Sequence, residues 1–317
     1  MRILGTKDLS QLTDPLVVTI GNLDGVHIGH QALLRTVVET ARERGALPAA
    51  ITFLPHPLKV LLLNPDIKLL TRLEDKQNLI SRLGIELLIR MQFDEELAKM
   101  SARGFLQEHF CQYAKLSALV VGHNCALGHK KEADPSALEQ IGHELGFEVI
   151  VVPPVLHDEM VVSSTRVREC LVNGHIGLVG SLLGRPYDIV GKVAQFSGRG
   201  RVLGFPTANL VGIETLQPQN GVYITQLKVE GTDTWLPSAT NIGHHPTFYS
   251  ERATVETHII DSRVDLYGKE VRLAFLKRLR PERRFSNREK LISQICADIN
   301  VTRAYFRERE RPDAVQD

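Results

Sequence analysis

The chain has few cysteines, no excess of charge of either sign and no long apolar run. Its four cysteines form no C-x-x-C pair and no zinc-like spacing with histidine, which argues against a disulfide framework or a structural metal. The 38 basic and 37 acidic residues give a net charge of +1, so neither a nucleic-acid partner nor a membrane surface is expected. No apolar stretch approaches the roughly 18 residues of a membrane-spanning helix, and the first residues lack the apolar segment of a signal peptide. These absences predict a cytoplasmic protein.

The length of 317 residues predicts two domains, because it exceeds what one hydrophobic core usually organises. In the first half, short apolar runs alternate with longer amphipathic stretches, a pattern typical of a mostly parallel sheet with helices on both faces. We predict strands at 16–20, 49–53, 86–91, 118–121 and 147–152, and helices at 28–44, 73–83, 95–114 and 136–145.

The pattern changes after residues 163–174. Short runs rich in Val, Ile, Thr and Tyr, at 187–193, 221–229, 238–242, 253–260 and 270–279, are separated by Gly, Pro and Asn. Runs of this kind predict a small antiparallel barrel or sandwich. The segment 286–300 is amphipathic and predicts a helix with Ser286 as its N-cap and Glu289 three residues later. We place the domain boundary near 184–186, which gives domains at 1–184 and 185–310.

A first candidate site lies in the segment G-N-L-D-G-V-H-I-G-H at 21–30, between a predicted strand and a predicted helix. Glycines allow close approach of the backbone to a ligand, and a helix N-terminus attracts phosphate. His27 and His30 are three residues apart and therefore lie on the same side of a first helical turn. They could donate hydrogen bonds to phosphate oxygens and stabilise a leaving pyrophosphate. The residues predicted to contact phosphate in this segment are Gly21, Asn22, Asp24 and Gly25.

The segment S-S-T-R-V-R at 163–168 adds further phosphate-binding groups to this prediction. Hydroxyl groups and the N–H groups at a helix start bind phosphate oxygens, and arginine offers a planar cation to a triphosphate. The predicted residues are Ser163, Ser164, Thr165, Arg166 and Arg168.

A second candidate site is the run G-R-G-R-V-L-G-F-P-T-A-N at 198–209. A loop rich in glycine and arginine can surround a triphosphate with backbone N–H groups and cations. The loop residues predicted to do so are Gly198, Arg199, Gly200, Arg201 and Gly204. Thr207 and Asn209 are two apart, so on an extended strand they share one face, and their oxygen atoms suit Mg²⁺.

These motifs resemble known families. The H-x-G-H pattern resembles the nucleotidyltransferase superfamily, and its longer form at 21–30 resembles the FAD synthetase branch, as do T-F-L-P-H-P at 52–57 and S-S-T-R-V-R. The run G-F-P-T-A-N at 204–209 resembles riboflavin kinases, and similar segments follow in the family's order at 221–223, 241–248, 255–258 and 265–268. From about residue 16 to 300, the chain therefore resembles bacterial bifunctional riboflavin kinase/FAD synthetases.

The resemblance implies a fold and two reactions. The fold would be a Rossmann-like α/β nucleotidyltransferase domain, followed by a small antiparallel β-barrel riboflavin kinase domain with a C-terminal helix. The barrel would phosphorylate riboflavin to FMN with Mg²⁺ and ATP, and the first domain would adenylylate FMN with a second ATP, releasing FAD and pyrophosphate. The resemblance makes Glu256 the base that takes the proton from the ribityl 5′-hydroxyl, and makes His27 and His30 catalytic in the other domain.

One segment departs from the family pattern. Relatives read V-G-x-D/N-F-x-F-G where this chain has V-G-H-N-C-A-L-G at 121–128, so Asn124 matches a nucleotide-site position but Cys125 and Leu127 replace two aromatics. Three alternatives therefore stay open. The chain could be a riboflavin kinase that has lost adenylation, a nucleotidyltransferase for another phosphate ester, or a flavin-binding regulatory protein without turnover.

Overall fold

A computed structural model describes residues 1–61, 67–112, 115–195, 200, 203–243, 254–262 and 264–309. The chain forms two compact units, Met1–Ser164 and Thr165–Asp317. The helices of the described ranges include none long and apolar enough to cross a membrane.

The first unit is built on a six-stranded parallel sheet with the order β1-β4-β3-β2-β5-β6. Its strands are β1 (Arg2–Gly5), β2 (Leu16–Ile20), β3 (Leu47–Leu54), β4 (Leu87–Gln92), β5 (Leu116–Gly122) and β6 (Glu148–Val152), and a hairpin follows with β7 (Leu156–His157) and β8 (Met160–Val161). Its helices are α1 (Ile28–Arg44), α2 (Pro57–Leu61), α3 (Leu73–Arg82), α4 (Ala102–Leu106) and α5 (Pro135–Leu145). All five predicted strands are present, and β1 was not predicted.

Both faces of this sheet are buried, as the continuous apolar strands predicted. Side chains alternate along a strand, so Leu16, Val18 and Ile20 enter one core while Val17 enters the other with Leu34 of α1. The predicted α/β architecture is therefore confirmed for this unit.

The prediction of one continuous helix at 95–114 is wrong. A short 3₁₀ turn at Leu97–Lys99 is followed by α4 and then by a π-helical turn at Gln107–Cys111. The interruption lies at Ser101, which has extended backbone dihedrals and whose Oγ accepts a hydrogen bond from the N–H of Gly104 at 3.1 Å. A serine in this position starts a new helix, because it satisfies a backbone donor that the helix itself leaves unpaired.

The second unit is a closed antiparallel barrel with the order β10-β13-β12-β11-β14-β9. Its strands are β9 (Tyr187–Ala194), β10 (Ala208–Val211), β11 (Gly221–Val229), β12 (Leu236–Gly243), β13 (Thr254–Ile259) and β14 (Glu270–Arg280). Its helices are α6 (Ser164–Val172), which begins at the last residue of the first unit, α7 (Ile176–Leu183) and α8 (Arg288–Arg309). The predicted barrel with a C-terminal helix is confirmed. The predicted domain boundary at 184–186 stays a prediction; in the structure α7 packs against β9 and β14.

Helix α8 is fixed to the barrel by an ion pair. Arg280 of β14 donates from Nη2 to Asp298 at 2.8 Å and from Nε to both carboxylate oxygens at 3.1 Å. The helix starts later than predicted, because the Oδ1 atom of Asn287, and not Ser286, caps it by accepting from the N–H of Lys290 at 2.9 Å. It also continues beyond the predicted end at residue 300.

Candidate active sites

The first candidate site lies at the carboxyl ends of the parallel strands. Strand β2 ends at Ile20, and the loop 21–27 connects it to α1. Strands β3, β4 and β1 lie on one side of β2, while β5 and β6 lie on the other. Ligands of open α/β sheets bind at such a point, because the loops leaving adjacent strands diverge and open a crevice. The predicted residues Gly21, Asn22, Asp24 and Gly25 lie in this loop, and Asn124 is exposed just after the neighbouring strand β5.

The two histidines meet at the start of α1, as predicted. His27 is the N-cap, and its Nδ1 accepts a hydrogen bond from the N–H of His30 at 3.2 Å. In a neutral ring the proton of His27 is therefore on Nε2. The two rings stack with their centroids 3.6 Å apart and their planes 18° from parallel.

His30 is held in the neutral form. Burial, the neighbouring His27 and the Lys76 ammonium together place the pKa of His30 well below its usual value. Its Nδ1 atom is buried and, among the described residues, has no hydrogen-bond partner. The same is true of the Oδ1 atom of Asn22. Buried polar atoms without partners are costly, and they are typical of a site that a ligand completes.

The loop itself is strained and held by Asp24. Leu23 and Val26 have φ angles of 51° and 42°, in the left-handed region that β-branched and bulky residues avoid. Such a conformation costs about 1–3 kcal/mol per residue, so the surroundings must enforce it. The Asp24 carboxylate accepts from the N–H of Leu70 at 3.0 Å and from the N–H and hydroxyl of Thr71 at 3.2 Å. We conclude that Asp24 shapes the loop; its predicted contact with ATP stays a prediction.

The segment 163–168 divides between the two units. In the first unit, the Ser164 hydroxyl donates to the carbonyl oxygen of Asp24 at 2.8 Å, which ties this segment to the histidine loop. Ser163 directly precedes α6, as the helix-start prediction required. Thr165 is exposed and Arg166 is buried, and both belong, with Arg168, to the second unit. The predicted phosphate contacts of these three residues stay predictions.

Lys76 is a charged residue beside the first site that the sequence motifs did not predict. Lys76 of α3 is only 6% exposed, and its Nζ donates to the carbonyl oxygen of Asn22 at 3.1 Å and to the hydroxyl of Thr52 at 2.9 Å. Burial lowers the pKa of Lys76, and the nearby Asp24 carboxylate partly offsets this. The sequence does contain an indication that Lys76 is buried. Lys76 lies one turn before the buried Ile80 and so falls on the apolar face of an amphipathic helix.

The two residues that depart from the family pattern are packing residues in this structure. Cys125 and Leu127 are partly buried and pack against the core that includes Phe105. Leu127 exchanges backbone hydrogen bonds with Ala133 at 2.9 and 3.0 Å. Burial raises the pKa of Cys125 to about 11, so its thiol is protonated at neutral pH and is a poor nucleophile.

The second candidate site contains a row of polar residues across three strands of the barrel. Asn209 of β10 is opposite Glu256 of β13, and Glu256 is opposite Asn241 of β12. Directly opposite residues point to the same face with Cβ atoms about 4.5–5.5 Å apart. All three are partly exposed, whereas their neighbours Leu210 and Val255 are buried. The predicted base and the predicted metal ligand are therefore adjacent, and Asn241, to which no role was assigned, lies on the other side of the base.

Of the two predicted metal ligands, Asn209 lies on β10, which begins at Ala208, and Thr207 directly precedes that strand. That the two side chains share one face stays a prediction. The carbonyl oxygen of Pro206 pairs with Nδ1 of His258 at 2.8 Å. Thr207 lies against Gly200. A Cβ atom at Gly200 would be 2.4 Å from the carbonyl oxygen of Phe205 and 3.0 Å from the Thr207 hydroxyl, so this position requires glycine.

Of the other loop residues predicted to bind phosphate, the structure describes Gly204. Gly204 has a φ angle of 91°, which glycine adopts without strain. Gly198, Arg199 and Arg201 lie outside the described residues.

The residues of the second site fit Mg²⁺. Thr207 and Asn209 supply a hydroxyl and an amide oxygen, and Mg²⁺ takes oxygen ligands while keeping water and substrate phosphate in its shell. Within the ranges that the structure describes, no group of three or more His, Cys, Asp or Glu side chains could hold a metal by itself. A Mg²⁺ ion held by these two groups would take its other ligands from water and substrate phosphate.

Comparison with known proteins gives a family to each unit. The FAD synthetase family model matches residues 9–166, and the riboflavin kinase family model matches residues 183–306. The matches include all predicted residues of the first site except Arg168, and all predicted residues of the second.

Similarity to whole proteins covers nearly the full chain. The bifunctional riboflavin kinase/FMN adenylyltransferase of Escherichia coli K12 is 33% identical over 305 residues, which are 96% of this chain and 97% of the relative. The enzyme of the same name from Bacillus subtilis 168 is 34% identical over 297 residues, 92% of each chain. A solved structure described as a macrolide-efflux protein from Streptococcus pneumoniae is 30% identical, with a TM-score of 0.86 over 96% of this chain and 99% of that one. This chain belongs to the bifunctional riboflavin kinase/FMN adenylyltransferase family.

Proposed function

We propose that the chain phosphorylates riboflavin to FMN and then adenylylates FMN to FAD, with ATP as the substrate of both reactions. The supporting observation is that each unit carries its own set of polar groups suited to one reaction. Stacked histidines start a helix in the first unit, and Glu256 lies beside Asn209 in the second.

In the barrel, Glu256 takes the proton from the ribityl 5′-hydroxyl as that oxygen attacks the γ-phosphorus of ATP, and ADP leaves. Thr207 and Asn209 would hold Mg²⁺, which neutralises phosphate charge when bound. Gly200 and Gly204 let the loop backbone approach the phosphates.

In the first unit, a phosphate oxygen of FMN attacks the α-phosphorus of ATP. The bond to the β-phosphate oxygen breaks, and pyrophosphate leaves with the electron pair. The attacking phosphate is already ionised, so no general base is needed. The Nε2–H of His27, a neutral His30 and the N-terminus of α1 stabilise the negative charge on the leaving group. Ser164, whose hydroxyl is bonded to the same loop, contributes to this stabilisation.

A second candidate function is riboflavin phosphorylation alone. The observation in its favour is the replacement of both aromatics of the 121–128 segment by Cys125 and Leu127. In this reading the first unit keeps its fold but binds FMN or ATP too weakly to turn over.

Chromatography of the flavins tests both readings. The purified protein is incubated with riboflavin, ATP and Mg²⁺, and separately with FMN, ATP and Mg²⁺. We expect FMN followed by FAD in the first mixture and FAD in the second. FMN without FAD supports the kinase-only reading, and the absence of both products contradicts the proposal. Chelation of Mg²⁺ should stop FMN formation.

A further inference from the structure

We propose that Lys76 is a positioning residue for FMN adenylylation, because its buried ammonium joins the histidine loop to the end of β3. This inference rests on the proposed adenylyltransferase function of the first unit.

The contacts of Lys76 connect two motifs that are distant in sequence. The carbonyl oxygen of Asn22 belongs to the strained loop before His27, and the hydroxyl of Thr52 lies near the end of β3, which pairs with β2. Thr52 Oγ1 also lies 3.3 Å from the same carbonyl oxygen. Lys76, Asn22 and Thr52 thus form a closed triangle of hydrogen bonds beneath the loop. The triangle fixes where the loop leaves the sheet, and hence where α1 begins.

Lys76 is costly as a purely structural residue. A buried ammonium without a directly contacting carboxylate loses hydration that a carbonyl and a hydroxyl only partly replace. Among the described residues, none forms an ion pair with Lys76, and the Asp24 carboxylate acts on it as a nearby charge. A methionine or leucine would fill the same volume without this cost. A positive charge held in this way is typical of a site that receives an anion.

The positive charge of Lys76 also lowers the pKa of His30. The groups that act on this imidazole are the stacked ring of His27 from the N-cap position and the Lys76 ammonium from α3, while Asp24 of the loop acts on Lys76. Loss of the Lys76 charge removes a repulsion and so raises the pKa of His30.

The test uses the full-length protein and its own kinase reaction as an internal control. In Lys76→Met, FAD formation from FMN and ATP should fall about a hundredfold, because a displacement of about 1 Å at a reacting centre costs this much. FMN formation from riboflavin by the same sample should stay within about twofold. Arg82→Met removes a positive charge from the exposed end of the same helix and should leave both rates unchanged.

A histidine titration by NMR separates positioning from general damage. The His30 signal is assigned by its loss in His30→Gln, and its pKa should rise by about half a pH unit or more in Lys76→Met. Lys76→Gln, which keeps a donor but no charge, should show the same rise, and serves if the methionine variant unfolds. The inference is overturned if FAD formation stays within about threefold of wild type, or if the His30 pKa is the same in both proteins. Absence of FAD formation by the wild-type protein would instead overturn the proposed function.

Discussion

The two candidate sites are built in different ways. In the first unit, the loop 21–27 and the first turn of α1 carry the site, and hydrogen bonds made by Asp24, Lys76 and Ser164 hold the loop in a strained shape. In the barrel, Asn209, Glu256 and Asn241 come from three separate strands and are aligned by strand register. Loop contacts should therefore control the first reaction, and barrel integrity should control the second.

The sharpest test of this division is Glu256→Gln. The amide cannot accept the proton, and general-base catalysis is worth about 10²–10⁴-fold, so FMN formation should fall about a thousandfold. FAD formation from supplied FMN should not change. Flavin chromatography under initial-rate conditions measures both, and Glu230→Gln, at an exposed position after β11, is the matched control. An equal loss of both products would contradict separate sites.

The difference between a contiguous and a strand-aligned site also explains what the sequence revealed. The loop motif at 21–30 placed His27 and His30 correctly, because residues three apart at a helix start are neighbours whatever surrounds them. The pairing of Glu256 with Asn241 depends on register across a barrel, which no local pattern specifies. Lys76 was missed because a lysine in a helix is usually solvated, and only its place beside Ile80 indicated burial.

The secondary structure likewise divides into elements that a local pattern predicts and elements that depend on distant partners. Strands β2 and β11 have the predicted bounds, because each is a run rich in β-branched and apolar residues between clear breaks. The short strands β1 and β10 have too few residues for a recognisable period, and they form because the sheet and barrel supply partners. The helix break at Ser101 is a cap that the surrounding helical pattern hid.

The second prediction concerns the ion pair of α8. Asp298→Ala leaves Arg280 without its carboxylate in a setting where both side chains are nearly buried, 12% and 11% exposed. Breaking such a pair costs about 3 kcal/mol of unfolding free energy. Trp235, the one tryptophan of the sequence, lies between β11 and β12, so its fluorescence during denaturant unfolding reports on the barrel.

A matched pair on the same helix provides the control for Asp298. Arg303 pairs with Asp261 at 2.7 Å, but Asp261 is 60% exposed, so Asp261→Ala should have only a small effect. If barrel contacts govern only the kinase, Asp298→Ala should lower the denaturant midpoint for loss of FMN formation. The denaturant midpoint for loss of FAD formation should stay unchanged. A common midpoint for both activities would show that the two units unfold together.

The third prediction tests the histidine site, whose loss should affect FAD formation and not FMN formation. His30→Gln should reduce FAD formation about a hundredfold, as expected for the loss of one charge-stabilising donor, and should leave FMN formation unchanged. His143→Gln, on the exposed face of α5, should change neither rate. If His30→Gln lost FMN formation as well, the histidine site could not belong to a separate reaction.

The smallest expected effect decides between the two proposed functions. Leu127→Phe restores an aromatic at one position where this chain departs from its family, but Leu127 packs against the core and is fixed by backbone pairing with Ala133. Overpacking there should cost about 1–3 kcal/mol of stability, and FAD formation should change by no more than about threefold. A gain of about tenfold or more in FAD formation would instead mean that the missing aromatic limits adenylation. Because the leucine already fills its place in the core, we expect the added ring to weaken packing without improving catalysis.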